Sequence, residues 1–101
     1  IFDARSLPNP YWVPELRGFT GKDAAVVDFF NNEEDVRLFY KDITGFLDRW
    51  LPKFIADNRL YLTVAIGCTG GQHRSVFLID KLAQYFKSSA MNVIHRHREL
   101  L

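Results

Sequence analysis

The chain has 101 residues, of which 48% are hydrophobic, 15% aromatic and 25% charged. This composition is typical of a globular protein that folds in water, because it lacks both the low hydrophobicity of disordered chains and an apolar run long enough to cross a membrane. The formal net charge of +1 provides no overall positive excess that would indicate a nucleic-acid partner. We expect one domain over residues 1–101.

The sequence contains one cysteine, Cys68, so the chain cannot form an internal disulfide. Together with the lack of a signal-peptide pattern, this favours a cytoplasmic location and no membrane partner. The chain starts with Ile1-Phe2-Asp3-Ala4-Arg5 rather than with Met, a start that resembles the middle of a strand. We therefore expect the sequence to be a fragment of a longer protein.

The first part of the chain predicts a strand, a loop and a short helix. Residues 1–5 form the strand, which ends before Leu7-Pro8-Asn9-Pro10 because proline has no N–H to donate to a ladder. A packed, irregular loop follows. Thr20 and Asp23 resemble a capping box, and they predict a helix over residues 24–30.

The longest helix is predicted to begin after an Asn32 N-cap. Its apolar positions recur every three or four residues from Val36 to Phe54, which predicts one stripe facing the core. Pro52 lies inside this pattern, so we expect a kink or a break there. Core packing is the favoured interpretation of the aromatic residues in the stripe.

The second part predicts a strand, a helix and a last strand. Residues 60–66 are almost continuously apolar, as in a strand buried on both faces of a parallel sheet. Residues 75–87 have helical periodicity, and residues 92–97 alternate like a strand. The order of elements predicts an α/β fold with a small, mainly parallel sheet flanked by helices and with a strand–glycine loop–helix anion site.

The glycine-rich loop between the central strand and the last helix is the strongest functional signal. Such a loop directs backbone N–H groups and the positive end of the helix dipole at one point, where phosphate binds. A turn that merely links strand to helix is the simpler alternative, but the density of glycine, hydroxyl, His and Arg residues favours a site. The loop residues assigned to it are Cys68, Thr69, Gly70, Gly71, His73, Arg74 and Ser75.

Two known phosphate loops have related spacing. The P-loop of nucleotide hydrolases requires Gly-Lys-Ser/Thr where this chain has Gln72-His73-Arg74, so that match fails. Cys68 and Arg74 do match the cysteine–five residues–arginine loop of protein tyrosine phosphatases, in which a thiolate attacks phosphorus. However, Gly67 stands where those enzymes usually have His, and Asp3 is the only candidate general acid near a strand end. A small, buried, unreactive Cys68 is at least as well supported.

Three segments together resemble the C-terminal domain of the RapZ/YvcJ family (UPF0042-like), and the resemblance spans the whole chain. The segments are Leu7 to Trp12, Leu60 to Ser75 and His95 to Arg98, and the Gly-Cys-Thr-Gly-Gly-x-His-Arg-Ser string is highly specific. The resemblance implies a bacterial cytoplasmic protein whose N-terminal P-loop nucleotide-binding domain is missing here. It also implies an RNase adapter that binds a small regulatory RNA, presents it to an endoribonuclease and senses glucosamine-6-phosphate in amino-sugar supply.

The resemblance also carries over to individual residues. It implies that the sugar phosphate contacts Asp3, Arg5 and Asn9 in addition to the glycine loop, with Tyr11 where some members have His. It implies RNA contacts near the C-terminal end, although exposed residues of an edge strand are an equally good explanation there. The residues concerned are His95, Arg96, His97 and Arg98.

We therefore expect a regulatory domain that senses a ligand, binds RNA and forms a homo-oligomer. We expect no enzymatic activity, metal or cofactor in this domain. A cysteine-dependent phosphatase that uses Cys68 and Arg74 is the second hypothesis. A purely structural or oligomerising domain is the third, and it is suggested by the aromatic residues Tyr11 and Trp12.

Overall fold

The computed structural model describes residues 1–59, 61–89 and 91–100. Its elements in chain order are strand β1 (Phe2–Asp3), a 3-10 helix (Pro10–Trp12), helices α1 (Ala24–Asn31) and α2 (Glu34–Ala56), strand β2 (Ile66–Gly67) and helix α3 (Arg74–Ser88). β1 and β2 are parallel, and Phe2 pairs with Ile66. The small parallel sheet with its helices confirms the predicted α/β fold. Among the described helices, none has the length and apolar character needed to cross a membrane.

The core lies between the three helices. Phe30 of α1 packs on Phe77 of α3 with ring centroids 4.9 Å apart, and Ile43 of α2 lies in a second buried cluster with Leu82 of α3. The predicted stripe of the longest helix is confirmed as core only in part, since Phe46 within it is 48% exposed. α2 continues through Pro52 to Ala56 without a break, because proline removes only one backbone donor from a long helix whose other backbone hydrogen bonds remain.

The helix boundaries lie close to their predicted positions. The predicted helix over residues 75–87 is α3, and α1 begins after Asp23, whose carboxylate accepts the Thr20 N–H at 2.7 Å. The predicted N-cap at Asn32 is wrong. Asn32 ends α1, where its side-chain amide donates to a backbone carbonyl at 2.8 Å, and Glu33 occupies the N-cap position of α2.

The predicted central strand over residues 60–66 is mostly wrong. Leu60 lies outside the described residues, and of the others only Ile66 belongs to β2. Tyr61 is 83% exposed, so the segment is not buried on both faces. An apolar composition favours burial, but a ladder also requires a neighbouring strand, and β1 supplies only two paired positions.

The predicted last strand over residues 92–97 is also wrong, because the described residues after α3 contain no strand. The alternation that suggested a strand is nevertheless present. The His97 side chain is only 6% exposed against α3, whereas Arg96 and Arg98 are exposed. The segment therefore runs beside α3 and presents its arginines to solvent.

Candidate functional site

The carboxyl ends of β1 and β2 meet at one edge of the sheet. The strands are parallel and Asp3 pairs with Gly67, so the residues that follow the two strands emerge on the same side. Arg5 follows β1, and Cys68 and Thr69 follow β2. The structure therefore brings together the ends of the two parts of the predicted phosphate site, which are far apart in the chain.

The glycine loop turns sharply before α3. Gly70 and Gly71 have φ angles of +82° and +67°, a left-handed conformation in which any other L-residue is strained. α3 begins directly afterwards at Arg74, with His73 at the N-cap position. Gly67 is not required to be glycine in the same way, since a Cβ there would meet nothing within 4 Å among the described residues. The loop thus places backbone at the positive end of a 15-residue helix.

Asp3 and Arg5 form a bidentate ion pair at the end of β1. Arg5 Nη2 donates to Asp3 Oδ2 at 2.8 Å and Arg5 Nε donates to Oδ1 at 3.0 Å. The side-chain hydrogen bonds from Arg5 lower the pKa of Asp3 to about 2, and the Arg74 guanidinium also contributes. The same carboxylate raises the pKa of Arg5. The pair offers a fixed anion for hydroxyl or ammonium groups beside a cation for phosphate.

Arg74 is buried, with 4% exposure. Its Nη1 donates to the backbone carbonyls of Arg5 at 2.8 Å and of Leu7 at 3.2 Å. The guanidinium thereby ties the chain after β1 to the first residue of α3. Part of the guanidinium that was assigned to the phosphate site is thus engaged in holding the chain together.

His73 carries a buried nitrogen without a partner. The residue is 5% exposed. Among the buried side-chain nitrogen and oxygen atoms of the described residues, His73 Nε2 alone has no hydrogen-bond partner. Leaving such a group unpaired costs about 1–3 kcal/mol, and buried polar atoms in native proteins usually have a partner. The unpaired nitrogen belongs to the residue at the N-cap position of α3.

Cys68 lies at the amino end of α3. The Ser75 N–H donates to Cys68 Sγ at 3.4 Å, the thiol is half-buried, and Ser75 is buried. The sulfur thus accepts a hydrogen bond from an amide in the first turn of α3.

The remaining predicted ligands lie in the loop after β1. Asn9 Oδ1 accepts the Tyr11 N–H at 3.1 Å and so caps the 3-10 helix. The Tyr11 ring is partly exposed, with Trp12 packed on its edge and the Arg17 guanidinium 4.8 Å from its centroid. Asn9 and Tyr11 are thus organised by local contacts within their own loop.

A cleft of about 1140 Å³ is lined by parts of α2 and α3, by the residues around β2, by the glycine loop and by most of the C-terminal segment, residues 91–100. Gly70 and Gly71 of the glycine loop and His95 of the C-terminal segment are among the residues that line it. The two segments approach closely, since a Cβ added to Gly71 would lie 2.8 Å from Cγ of Glu99. The predicted RNA-binding residues and the predicted phosphate loop are therefore neighbours.

The structure divides the four predicted RNA-binding residues into two pairs. His95 and His97 approach Asp80 of α3, with His97 Nε2 2.6 Å from Asp80 Oδ1. Arg96 and Arg98 are exposed. The alternation of the sequence is the signal that predicts this division, because alternate residues of an extended segment lie on opposite faces.

Gly21 supports the glycine loop, and sequence reasoning did not identify it. Its N–H donates to the Gln72 carbonyl at 2.8 Å. A Cβ at this position would lie 2.6 Å from the Phe77 backbone nitrogen and 2.9 Å from Val76 Cβ. The chain before α1 is thus packed backbone against backbone on the start of α3, which only glycine allows.

Comparison with known proteins places these features in a family. The family model described as RapZ C-terminal domain matches residues 1–101. The chain belongs to the RapZ C-terminal domain family. This membership confirms the resemblance seen in the sequence.

Curated relatives of this RapZ C-terminal domain are described as nucleotide-binding proteins. The identity is 58% with the protein of Chromohalobacter salexigens, 57% with that of Methylobacillus flagellatus and 55% with that of Azotobacter vinelandii, over 100 residues in each case. Each alignment covers 99% of this chain but only 34–36% of the relative. The chain therefore spans about a third of the length of these proteins.

Proposed function

We propose that this domain is a cytoplasmic regulatory sensor that binds a phosphorylated amino sugar, such as glucosamine-6-phosphate, at the carboxyl edge of the sheet. The observation that carries the proposal is the convergence of Asp3 and Arg5 with the glycine loop at the start of α3. The family membership supports it. We place the nucleotide binding that names the relatives in the part of their length that this chain does not cover.

Each half of the ligand has matching groups in this proposal. The phosphate accepts hydrogen bonds from the loop amides around Gly70 and from Arg5, next to the positive end of α3. Asp3, which remains ionised because its pKa is lowered to about 2, accepts from the sugar ammonium or hydroxyl groups.

Calorimetric titration with glucosamine-6-phosphate, glucosamine and inorganic phosphate tests this site. We expect the sugar phosphate to bind more tightly than either fragment. Arg5→Ala and Asp3→Asn should each weaken it about tenfold or more, because each removes a charge-assisted hydrogen bond. Arg49→Ala, which removes an exposed arginine from α2, is the matched control and should have no effect. Equal affinity for glucosamine and its phosphate would contradict the proposal.

We further propose that the domain binds a small regulatory RNA and presents it to an endoribonuclease, as an RNase adapter without enzymatic activity of its own. The support is the exposed pair Arg96 and Arg98 on a segment that borders the same cleft as the glycine loop. That proximity provides a route by which a bound sugar phosphate alters RNA binding.

Filter binding of a small RNA at several salt concentrations tests the role of these arginines. The double substitution Arg96→Ala with Arg98→Ala should weaken binding and reduce the salt dependence by about two counterions, since each lost phosphate contact removes about one. Arg49→Ala with Lys53→Ala removes the same charge from α2 as a control. An equal loss in both double variants would show a nonspecific effect of net charge.

A cysteine-dependent phosphatase remains the second candidate because of the Ser75 N–H···Sγ contact with Cys68 at 3.4 Å. Hydrolysis of p-nitrophenyl phosphate separates the two functions. The sensor should release no nitrophenol above background. Turnover that is lost in Cys68→Ser would favour the phosphatase.

We also propose that the domain forms a homo-oligomer. Several large apolar side chains are exposed, including Tyr61 at 83% and Ile94 at 81%, and such surfaces commonly mark interfaces. Light scattering coupled to gel filtration should give a mass of at least two chains. A mass of one chain at high protein concentration would contradict this proposal.

A further inference from the structure

Three side chains that can each supply a ligand atom to a metal ion meet where the C-terminal segment contacts α3. His97 Nε2 lies 2.6 Å and His95 Nε2 lies 3.6 Å from Asp80 Oδ1. One ligand atom from each residue lies within 4.8 Å of the other two. Two imidazole nitrogens and a carboxylate oxygen are donors that Zn²⁺ prefers when it keeps one position open.

Local structure explains why these side chains converge. His95 and His97 are two residues apart in the segment beside α3, and both side chains approach Asp80. Exposure of the side chain falls from 35% in His95 and 28% in Asp80 to 6% in His97. The cluster is thus anchored on one side and open to solvent on the other, which provides an entry path for an ion.

We propose that Asp80, His95 and His97 form a zinc site with three protein ligands and an open fourth position. The site departs from the sequence-based expectation of a domain without metal. Ligands around a tetrahedral zinc ion are roughly 3.3 Å apart, given bonds of about 2.0–2.1 Å. The distance of 3.6 Å between His95 Nε2 and Asp80 Oδ1 is close to this value. The distance of 2.6 Å between His97 Nε2 and Asp80 Oδ1 is shorter, and a small side-chain rotation is enough to lengthen it.

Lys87 is the group that opposes metal binding. Its Nζ lies 3.4 Å from Nδ1 of His95. When Nε2 of a neutral imidazole binds a metal, Nδ1 carries the proton and cannot accept from an ammonium group. Lys87 is exposed, so it can turn away into solvent. Its removal should therefore strengthen zinc binding, whereas removal of a ligand should weaken it.

A bound zinc ion would clamp the C-terminal segment onto α3. The clamped segment carries the exposed Arg96 and Arg98, and Glu99 next to Gly71 of the glycine loop. Zinc would thus order the edge of the cleft without entering the phosphate site. The zinc site and the proposed sugar-phosphate site share no residue, so each can be tested by its own substitutions.

Competition between the metal-free 101-residue chain and a chromophoric zinc chelator tests the site. We expect one equivalent of Zn²⁺ to bind. Asp80→Asn and His95→Ala should each weaken binding about tenfold or more, and Lys87→Ala should tighten it. Circular dichroism of each variant shows whether it is folded, and His95 and Lys87 are exposed enough for their substitutions to be tolerated.

The absorption spectrum of the Co²⁺ form provides a second, independent measurement. We expect tetrahedral d–d bands without a thiolate-to-cobalt charge-transfer band, and the same spectrum in Cys68→Ser. A charge-transfer band that disappears in Cys68→Ser would place the metal on the cysteine and overturn the proposal. Unchanged zinc affinity in Asp80→Asn and His95→Ala, or no binding of zinc by the parent chain, would also overturn it.

Discussion

Arg74 Nη1 donates to the backbone carbonyl of Arg5 at 2.8 Å, across 69 residues of sequence. The same nitrogen donates to the carbonyl of Leu7. Because the ladder between the strands pairs only two positions, these bonds also determine where the chain after β1 lies relative to α3. Arg74, which was predicted to bind phosphate, thus holds in place the chain that carries other residues of the predicted site.

Arg74→Ala should lower the free energy of unfolding by about 2–4 kcal/mol, because two backbone carbonyls lose a charged donor inside the fold. Urea denaturation followed by circular dichroism measures this loss. Arg74→Lys keeps the charge but not the planar fork, and it should restore only part of the stability. An unchanged unfolding midpoint in Arg74→Ala, together with lost sugar-phosphate binding, would show that Arg74 serves the ligand alone.

Gly21→Ala should destabilise the protein by about 1–3 kcal/mol, the usual effect of forcing an extra methyl group into a packed site. The added Cβ would contact backbone of α3, 2.6 Å from the Phe77 nitrogen, and backbone cannot move aside as a flexible side chain can. Thermal and urea unfolding measure the change.

Gly45→Ala is the matched control for this substitution. Gly45 lies within α2, and a Cβ there would meet nothing within 4 Å among the described residues. Because alanine favours a helix interior, this variant should be more stable by about 0.5–1 kcal/mol. Equal effects of the two substitutions would contradict the tight packing of Gly21.

The carboxyl group of Asp3 should titrate well below the ordinary value. Its hydrogen bonds from Arg5 lower the pKa from 3.8 to about 2. As the pH falls, the unfolded chain therefore takes up this proton before the folded chain does. The contribution of the ion pair to stability is complete above about pH 3.8 and is lost as the pH falls through about 2.

Carbon-detected NMR of the Asp3 carboxyl group measures this titration directly. Arg5→Ala should move the midpoint up toward 3.8, because it removes the side-chain hydrogen bonds that do most to lower the pKa of Asp3. Arg49→Ala should leave it unchanged. A midpoint near 3.8 in the parent protein would show that the ion pair does not persist in solution.

Phe30→Ala should lower the free energy of unfolding by about 3–5 kcal/mol, the usual effect of deleting a buried aromatic ring. Phe30 is 1% exposed and packs on Phe77, so its loss opens a cavity between α1 and α3. Phe46 is 48% exposed, and Phe46→Ala should cost about 1 kcal/mol or less. Chemical denaturation distinguishes the two, and similar midpoints would contradict the assigned core.

The helices and the glycine turn were predictable because they depend on local interactions. Backbone hydrogen bonds in a helix join residues four apart, so periodicity in the sequence predicted α3 within one residue of its observed bounds at each end. Likewise, the left-handed backbone at Gly70 and Gly71 is a conformation that glycine adopts without strain. The candidate phosphate site could therefore be located from its own residues.

Tertiary structure alone decided which distant groups meet. The apolar run after residue 60 predicted a buried strand, yet its pairing depends on the length of β1, which ends after Asp3. The contacts of Arg74 with the Arg5 carbonyl and of His97 with Asp80 join separate elements. Local sequence carries no information about such approaches, because they depend on how helices and strands pack once the chain has folded.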